Sequence, residues 1–206
     1  MRVVVTDLAA ERGGQHVFSG LFFSLEQGNA LVITGENGSG KSTLLRIICG
    51  LLEPVHGFIR LESSDGLLDL QSSLHYLGHQ NAMKPSLTVR ENLQYWRTFN
   101  GNPHIEIDDA LEQVGLIGID HLPFGYLSTG QKRRVSIAKL LVSYRPIWVV
   151  DEPTAGLDEA SEKRFANLMR THLAEGGMII AATHIPLGLE GAQRIDLGAY
   201  QTESAD

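Results

Sequence analysis

Residues Gly35 to Thr43 read GENGSGKST and follow the short apolar run ALVIT. This is the strand–GxxxxGK[ST]–helix pattern in full, and each residue type in it suits a chain of phosphates. The glycines, Gly35, Gly38 and Gly40, allow backbone angles that turn successive amides inward as an anion nest, with Glu36, Asn37 and Ser39 between them. The helix opening at Lys41 adds its positive end at the same spot. Lys41 can reach the β- and γ-phosphates, the Ser42 hydroxyl can ligate Mg2+, and Thr43 closes the motif. Far downstream, Asp151 and Glu152 end the apolar run IWVV. Neighbours on a strand point to opposite faces, so the two carboxylates are expected to divide the work. One would hold Mg2+ through water and the other would orient an attacking water.

A buried parallel sheet is the scaffold that could bring these pieces together. VVVTDL, VFSGLFFSL, ALVITG, GFIRL and LHYLGHQ read as strands, with KSTLLRIICG a helix stopped by Gly50 and SSDG a turn. From about Lys84 to Arg145 the pattern is helical. SLTVRENLQYW has Ser86 or Thr88 as N-cap, with Glu91 completing a capping box on Thr88. IDDALEQVGL starts a helix after Asp108, and TGQKRRVSIAKLLVSY is a third. PIWVVDE, a helix through SEKRFANLMRTHLAEGG, and the strand MIIAATH follow. Strands broken by helices predict an α/β class with a mostly parallel sheet, and the phosphate-loop motif on such a sheet resembles the P-loop NTPase core of the RecA/F1 kind. The expected organisation is one domain over 1–206, with a core of 1–83 and 146–206 and an inserted helical subdomain at 84–145. The tail TESAD is expected to fray.

The composition agrees. Among 206 residues, 43% are hydrophobic and 20% charged, which excludes a disordered or fibrous chain. The net charge of −7 argues against a nucleic-acid partner while leaving room for a local phosphate site. Cys49 is the single cysteine, so neither an internal disulfide nor a cysteine-built zinc site is available, and it reads as a core residue. The start resembles no secretory leader and no run is long enough to span a bilayer, so a cytosolic chain is expected, with any membrane role coming from a partner.

Further motifs, in order, resemble those of the ABC-type ATPases. Gln80 in LGHQNAMK is similar to the Q-loop, LSTGQ at Leu127–Gln131 to the LSGGQ signature, AGLD at Ala155–Asp158 to the D-loop, and His184 in AATH to the switch histidine. No NKxD-type base-reading motif of GTP-binding proteins is present. The resemblance implies the ABC ATPase fold and an ATP-dependent head-to-tail homodimer with two ATPs between the subunits. Each site would combine Lys41, Ser42, Gln80, Asp151, Glu152 and His184 of one copy with Ser128, Gly130 and Gln131 of the other. It implies Glu152 as general base or water-positioner, His184 as sensor of the γ-phosphate, and Gln80 as a metal-site group coupled to membrane subunits. Thr129 stands where the family has the first Gly of its pair, so that position must suit a β-branched residue. Arg12 falls where the family places an aromatic ring under adenine, and its guanidinium plane could stack there. Lys132, Arg133 and Arg134 crowd the start of the signature helix, where a partner's γ-phosphate would offset their cost to the helix dipole.

YLGHQNAMKPSLTVRENL and THIPL resemble the ATPase of bacterial cytochrome c maturation. That resemblance implies integral membrane subunits and, indirectly, a periplasmic haem chaperone as partners. It implies haem export or release as the work, and the cytoplasmic face of the bacterial inner membrane as the location. The residues also leave open another split transporter, for lipoproteins, amino acids or metals; a soluble DNA-repair or translation ATPase lacks support because coiled-coil insertions and a second phosphate loop are absent. His75 and His79, spaced i, i+4 along an apparent strand, would sit on one face about 13 Å apart, too far for a shared ligand. Leu93, Tyr95, Trp96 and Phe99 are candidate anchors for a membrane subunit.

Overall fold

The structure, a computed structural model, describes residues 1–201. The expectation for the tail at 202–206 lies outside the described residues. Two long strands, β1 (Arg2–Arg12) and β2 (Gln15–Glu26), open the chain, followed by β3 (Ala30–Thr34) and helix α1 (Lys41–Ile48). Strands β4 (His56–Ser63), β5 (Gly66–Leu68) and β6 (Leu74–Leu77) precede three helices, α2 (Val89–Asn100), α3 (Ile107–Gln113) and α4 (Thr129–Leu141). Strand β7 (Ile147–Asp151), helix α5 (Glu159–Ala174), β8 (Met178–Ala182) and β9 (Gln193–Asp196) complete the order.

The strands form two sheets. One has five strands in the order β6-β7-β8-β3-β9, and every neighbouring pair is parallel. The other has four, in the order β2-β1-β4-β5, all antiparallel. Only Gly13 and Gly14 separate β1 from β2, a linker too short for a crossover and suited to a hairpin. The opening strands therefore build their own sheet instead of extending the parallel one.

The alternation of side chains explains the layering. Along β7, Ile147 and Val149 face one core with Leu31 and Ile33 of β3, helix α1 and the inner side of β1 and β2. Trp148 and Val150 face the other core, shared with Phe165 and Met169 of α5 and with α2, α3 and α4. All five residues of β7 and of β8 are buried. Covering on both faces is what turns these strands into unbroken apolar runs. Cys49, 8% exposed, belongs to the α1 core, and burial pushes its thiol pKa up to about 12.

Helix α2 begins as the sequence predicts: Thr88 accepts from the Glu91 amide while the Glu91 carboxylate accepts from the Thr88 amide. Helix α3 begins slightly earlier than expected, capped after Glu106, so Asp108 and Asp109 lie inside its first turn, where acids complement the positive end.

Candidate active site

Parallel pairing puts the carboxyl ends of β6, β7, β8 and β3 on one edge of the sheet. Each carries a chemical group there: Gly78–Gln80 after β6, Asp151 and Glu152 at the end of β7, Thr183 and His184 after β8, and Gly35–Gly40 after β3. That edge is where an open parallel sheet places its ligand.

A cavity of about 360 Å³ opens there. Asn37, Gly38, Gly40, Lys41, Ser42 and Thr43 line one wall, and Asp151, Glu152 and His184 another. Arg12, exposed at the end of β1, and Val17 of β2 border it, so the antiparallel sheet contributes to the rim. Gly35 and Glu36 sit behind, where their carbonyls accept from Lys41 Nζ at 2.8 and 2.9 Å. An ammonium has three donors, so two of them are engaged and one remains. Ser39 is buried under the loop, and its hydroxyl has no partner. Gly40 takes φ 98° as the cap of α1, a left-handed conformation that glycine adopts without strain.

Glu152 is the most constrained of these residues. Its φ is 42°, uncommon for a non-glycine residue. Its Oε2 accepts from Thr183 Oγ1 at 3.2 Å. Its Oε1 lies 2.9 Å from His184 Nε2 but out of hydrogen-bond alignment, which leaves a buried acceptor without a partner. Asp151, 4% exposed, ends β7 beside it. Among the described residues, no group of three or more His, Cys, Asp and Glu could cage a metal. Ser42 and Asp151 both line the cavity, and a hydroxyl and a carboxylate are oxygen donors of the kind Mg2+ takes beside water and phosphate oxygens.

The structure separates other candidates from this cavity. Gln80 is exposed and does not line it; His79 does. Strand β6 ends at Leu77, so His79 belongs to the following loop and not to a strand shared with His75, as the sequence suggested. His75 is 3% exposed, meets the Ser143 carbonyl at 2.8 Å through Nε2, and is pushed down to a pKa of about 3 by burial. Ser128, Gly130 and Gln131 do not reach the Lys41 cavity either. Ser128 caps α4, accepting from the Gln131 amide at 3.2 Å, and Gln131 Oε1 accepts from the Ser128 amide at 2.9 Å. Thr129 occupies the first position of α4 without a positive φ, a conformation that a β-branched residue accepts.

The basic trio behaves differently from expectation. Arg133 is buried and donates to main-chain carbonyls, and Arg134 Nη1 donates to the Gly115 carbonyl at 2.9 Å. Lys132 Nζ lies 6.0 Å from the Phe124 ring centroid. Because α4 starts at Thr129, both arginines fall beyond its first turn, and both are engaged by main-chain carbonyls of their own chain. Thr183, which orients Glu152, was not singled out from the sequence; a hydroxyl closing the apolar run MIIAA was its one signal.

A family model described as ABC transporter matches residues 18–155 of this chain. The chain belongs to the ABC transporter family. The phosphate loop, Gln80, the LSTGQ segment and both acidic residues fall inside the matched part; Arg12 and His184 lie outside it. Two curated relatives bear the name cytochrome c biogenesis ATP-binding export protein CcmA. The one from Brucella abortus (strain 2308) is 60% identical over 98% of this chain and 99% of its own length. The one from Mesorhizobium japonicum is 62% identical over 94% of this chain and 96% of its own. A solved ATP-binding subunit of an ABC transporter superposes with a TM-score of 0.84 at 25% identity, covering 96% of this chain and 87% of that one. The fold is thus that of an ABC ATPase cassette.

Proposed function

We propose that this chain is the ATP-hydrolysing subunit of a split ABC transporter that energises haem export, or haem release to a periplasmic chaperone, in c-type cytochrome maturation. The observation that carries the ATPase reading is the meeting of the phosphate loop, Glu152 and His184 at one sheet edge. The cytochrome assignment is supported by the 60% identity over nearly the whole chain to proteins named for cytochrome c biogenesis.

In this reading the loop amides and Lys41 hold the β- and γ-phosphates, and Arg12 covers the base. Ser42 and Asp151 hold Mg2+, which neutralises charge on the phosphate oxygens. Glu152 accepts the proton of the attacking water through Oε1, the oxygen left without a partner. Thr183 fixes its other oxygen, and His184 donates toward the γ-phosphate. Ser128 and Gly130 serve the second copy's site in a head-to-tail dimer, which accords with their distance from the Lys41 cavity and with the exposure of Ser128. Gln80, exposed on the loop after β6, would add its amide oxygen to the Mg2+ ligands.

Among the described residues no helix is long and apolar enough to cross a membrane, so the proposed location at the cytoplasmic face of the bacterial inner membrane requires integral membrane subunits. On α2, Tyr95 and Phe99 stack and Trp96 meets both edge-on; Tyr95 and Phe99, exposed at 49% and 69%, would face those subunits, while Leu93 is fully buried and packs inward. The core of 1–83 and 146–206 would carry the catalytic edge, and the helical part, 84–145, the signature and this aromatic face.

Replacing the general base tests the reading. Glu152→Gln is expected to lower the ATPase kcat by about 10²–10⁴-fold while ATP is still bound and the dimer accumulates. A variant that hydrolyses ATP at the wild-type rate removes Glu152 from that role. Loss of c-type cytochromes on deletion of the gene tests the cargo assignment, and intact cytochromes would return the chain to another split transporter.

A further inference from the structure

Arg133 is 5% exposed and has no carboxylate among its hydrogen-bond partners. Its Nε donates to the Pro153 carbonyl at 3.1 Å, and its Nη2 to the carbonyls of Asp151 at 3.0 Å and Glu152 at 2.9 Å. Its Nη1 donates to the Gly78 carbonyl at 2.7 Å. Three successive carbonyls that bracket Glu152 thus converge on one guanidinium, and the fourth belongs to the residue preceding His79. A buried cation satisfied only by main-chain dipoles is costly unless each bond is well made. The planar fork of arginine is the side chain whose fixed donors fit such a set.

The same backbone is strained. Glu152 holds φ 42°; its amide bonds the Ala182 carbonyl at 2.9 Å, and its carbonyl accepts from Arg133 Nη2 at 2.9 Å and from the Ala155 amide of the following turn at 3.2 Å. A residue in a sparsely populated conformation persists only when its surroundings over-determine it. Here the determinant from the helical side is Arg133, on the helix that Ser128 caps. We propose that Arg133 is a positioning residue: it fixes the main chain of Glu152 from α4, so that a ligand docked on Ser128–Gln131 alters the aim of Glu152 in the same chain. Arg133 touches neither water nor phosphate in this scheme. The proposal rests on the reading of Glu152 as the residue that activates water.

Steady-state ATP hydrolysis by the full chain, with nucleotide binding measured in parallel, tests it. Arg133→Lys keeps the charge but has a single donor centre that cannot span four carbonyls; Arg133→Met keeps only the stem. Both are expected to lower kcat by about 10²-fold, the scale of a misplacement near 1 Å, with KM and ATP affinity within about threefold of wild type. Adding an alkylguanidinium to Arg133→Ala is expected to restore part of kcat, a response that general loosening of the fold would not give. Unchanged kcat in Arg133→Lys, or an equal loss in kcat and ATP affinity, overturns the proposal. So does failure of both Lys and Met variants to fold, because the residue would then hold the domain together and not the aim of Glu152. The underlying reading fails separately, when Glu152→Gln itself retains wild-type turnover.

Discussion

Gly40 offers a test in which the geometry sets the magnitude. A Cβ added there would lie 2.2 Å from Val17 Cγ1 and 3.3 Å from Phe18 Cδ1, and φ is 98°. Two penalties therefore act on Gly40→Ala. Holding a non-glycine residue in such a conformation costs about 1–3 kcal/mol. Forcing an extra methyl into an occupied position costs about 1–3 kcal/mol more. The lower end, about 2 kcal/mol together, corresponds to a fall in Tm of about 4–8 °C for a domain of this size. The loop can escape the clash only by moving away from β2, which also displaces the amide cradle, so ATP affinity should fall with stability. Trimming Val17 separates the two penalties. In a Val17→Ala background the 2.2 Å overlap is gone while the backbone penalty and the 3.3 Å approach to Phe18 stay, so Gly40→Ala should then cost less than in the wild type. Urea denaturation and nucleotide binding on the four chains of this cycle measure both quantities. Equal costs in the two backgrounds would refute the claim that β2 presses on the phosphate loop, and no cost in either would refute the strain argument altogether.

Two further outcomes follow from local physics. Thr88→Ala removes one half of the capping box on α2 and should lower stability by about 1 kcal/mol, read by urea denaturation, with Thr88→Ser close to wild type. His75 and His172 are held neutral by burial, with pKa values pushed down to about 3 and about 4, whereas an unfolded histidine titrates near about 6.5. The folded state therefore binds fewer protons than the unfolded one between those values, and stability is lost as pH falls below about 6.5. Denaturation midpoints between pH 7 and pH 5 should decline, and His172→Phe, which keeps an aromatic ring stacked on Trp148, should decline less; identical slopes would mean that His172 is not buried neutral.

Most of the fold was legible because its strongest signals are local. The runs IWVV and MIIAA, short and ended by acids or Thr-His, read as strands covered on both faces, and the capping box at Thr88 is written within four residues; the one at Ser128 has the same spacing and went unread. The separate antiparallel sheet was harder, because strand partners are a long-range matter; the Gly13–Gly14 pair was the local clue to the first hairpin. In the candidate site, contiguous residues such as Lys41 and Ser42 were readable from spacing. Asp151, Glu152 and His184 were readable too, through motifs at the ends of β7 and β8; His79 and Val17 carry no such motif and enter because β6 stops at Leu77 and β2 runs past the loop. Arg133 was misread for a related reason. Sequence puts it near a helix start, but which side of the helix faces inward depends on packing that a motif does not record.

Glu152 shows how the two sheet faces and the helical side combine into chemistry. An unstrained carboxylate at the end of β7 would take the extended conformation and continue the alternation of the strand. Instead the chain turns at φ 42°, at a cost of about 1–3 kcal/mol, and places Oε1 beside His184 with no hydrogen bond of its own. The nearest polar neighbour of Oε1 is the His184 ring nitrogen at 2.9 Å, which leaves room on that oxygen for one more donor. In the proposed role, a water bridging Oε1 and the phosphate chain would give that oxygen a donor, while the backbone stays at φ 42° because its amide and carbonyl are held separately. The same reasoning assigns Thr183 its weight: with Oε2 tied at 3.2 Å, the carboxylate cannot rotate to satisfy Oε1 elsewhere.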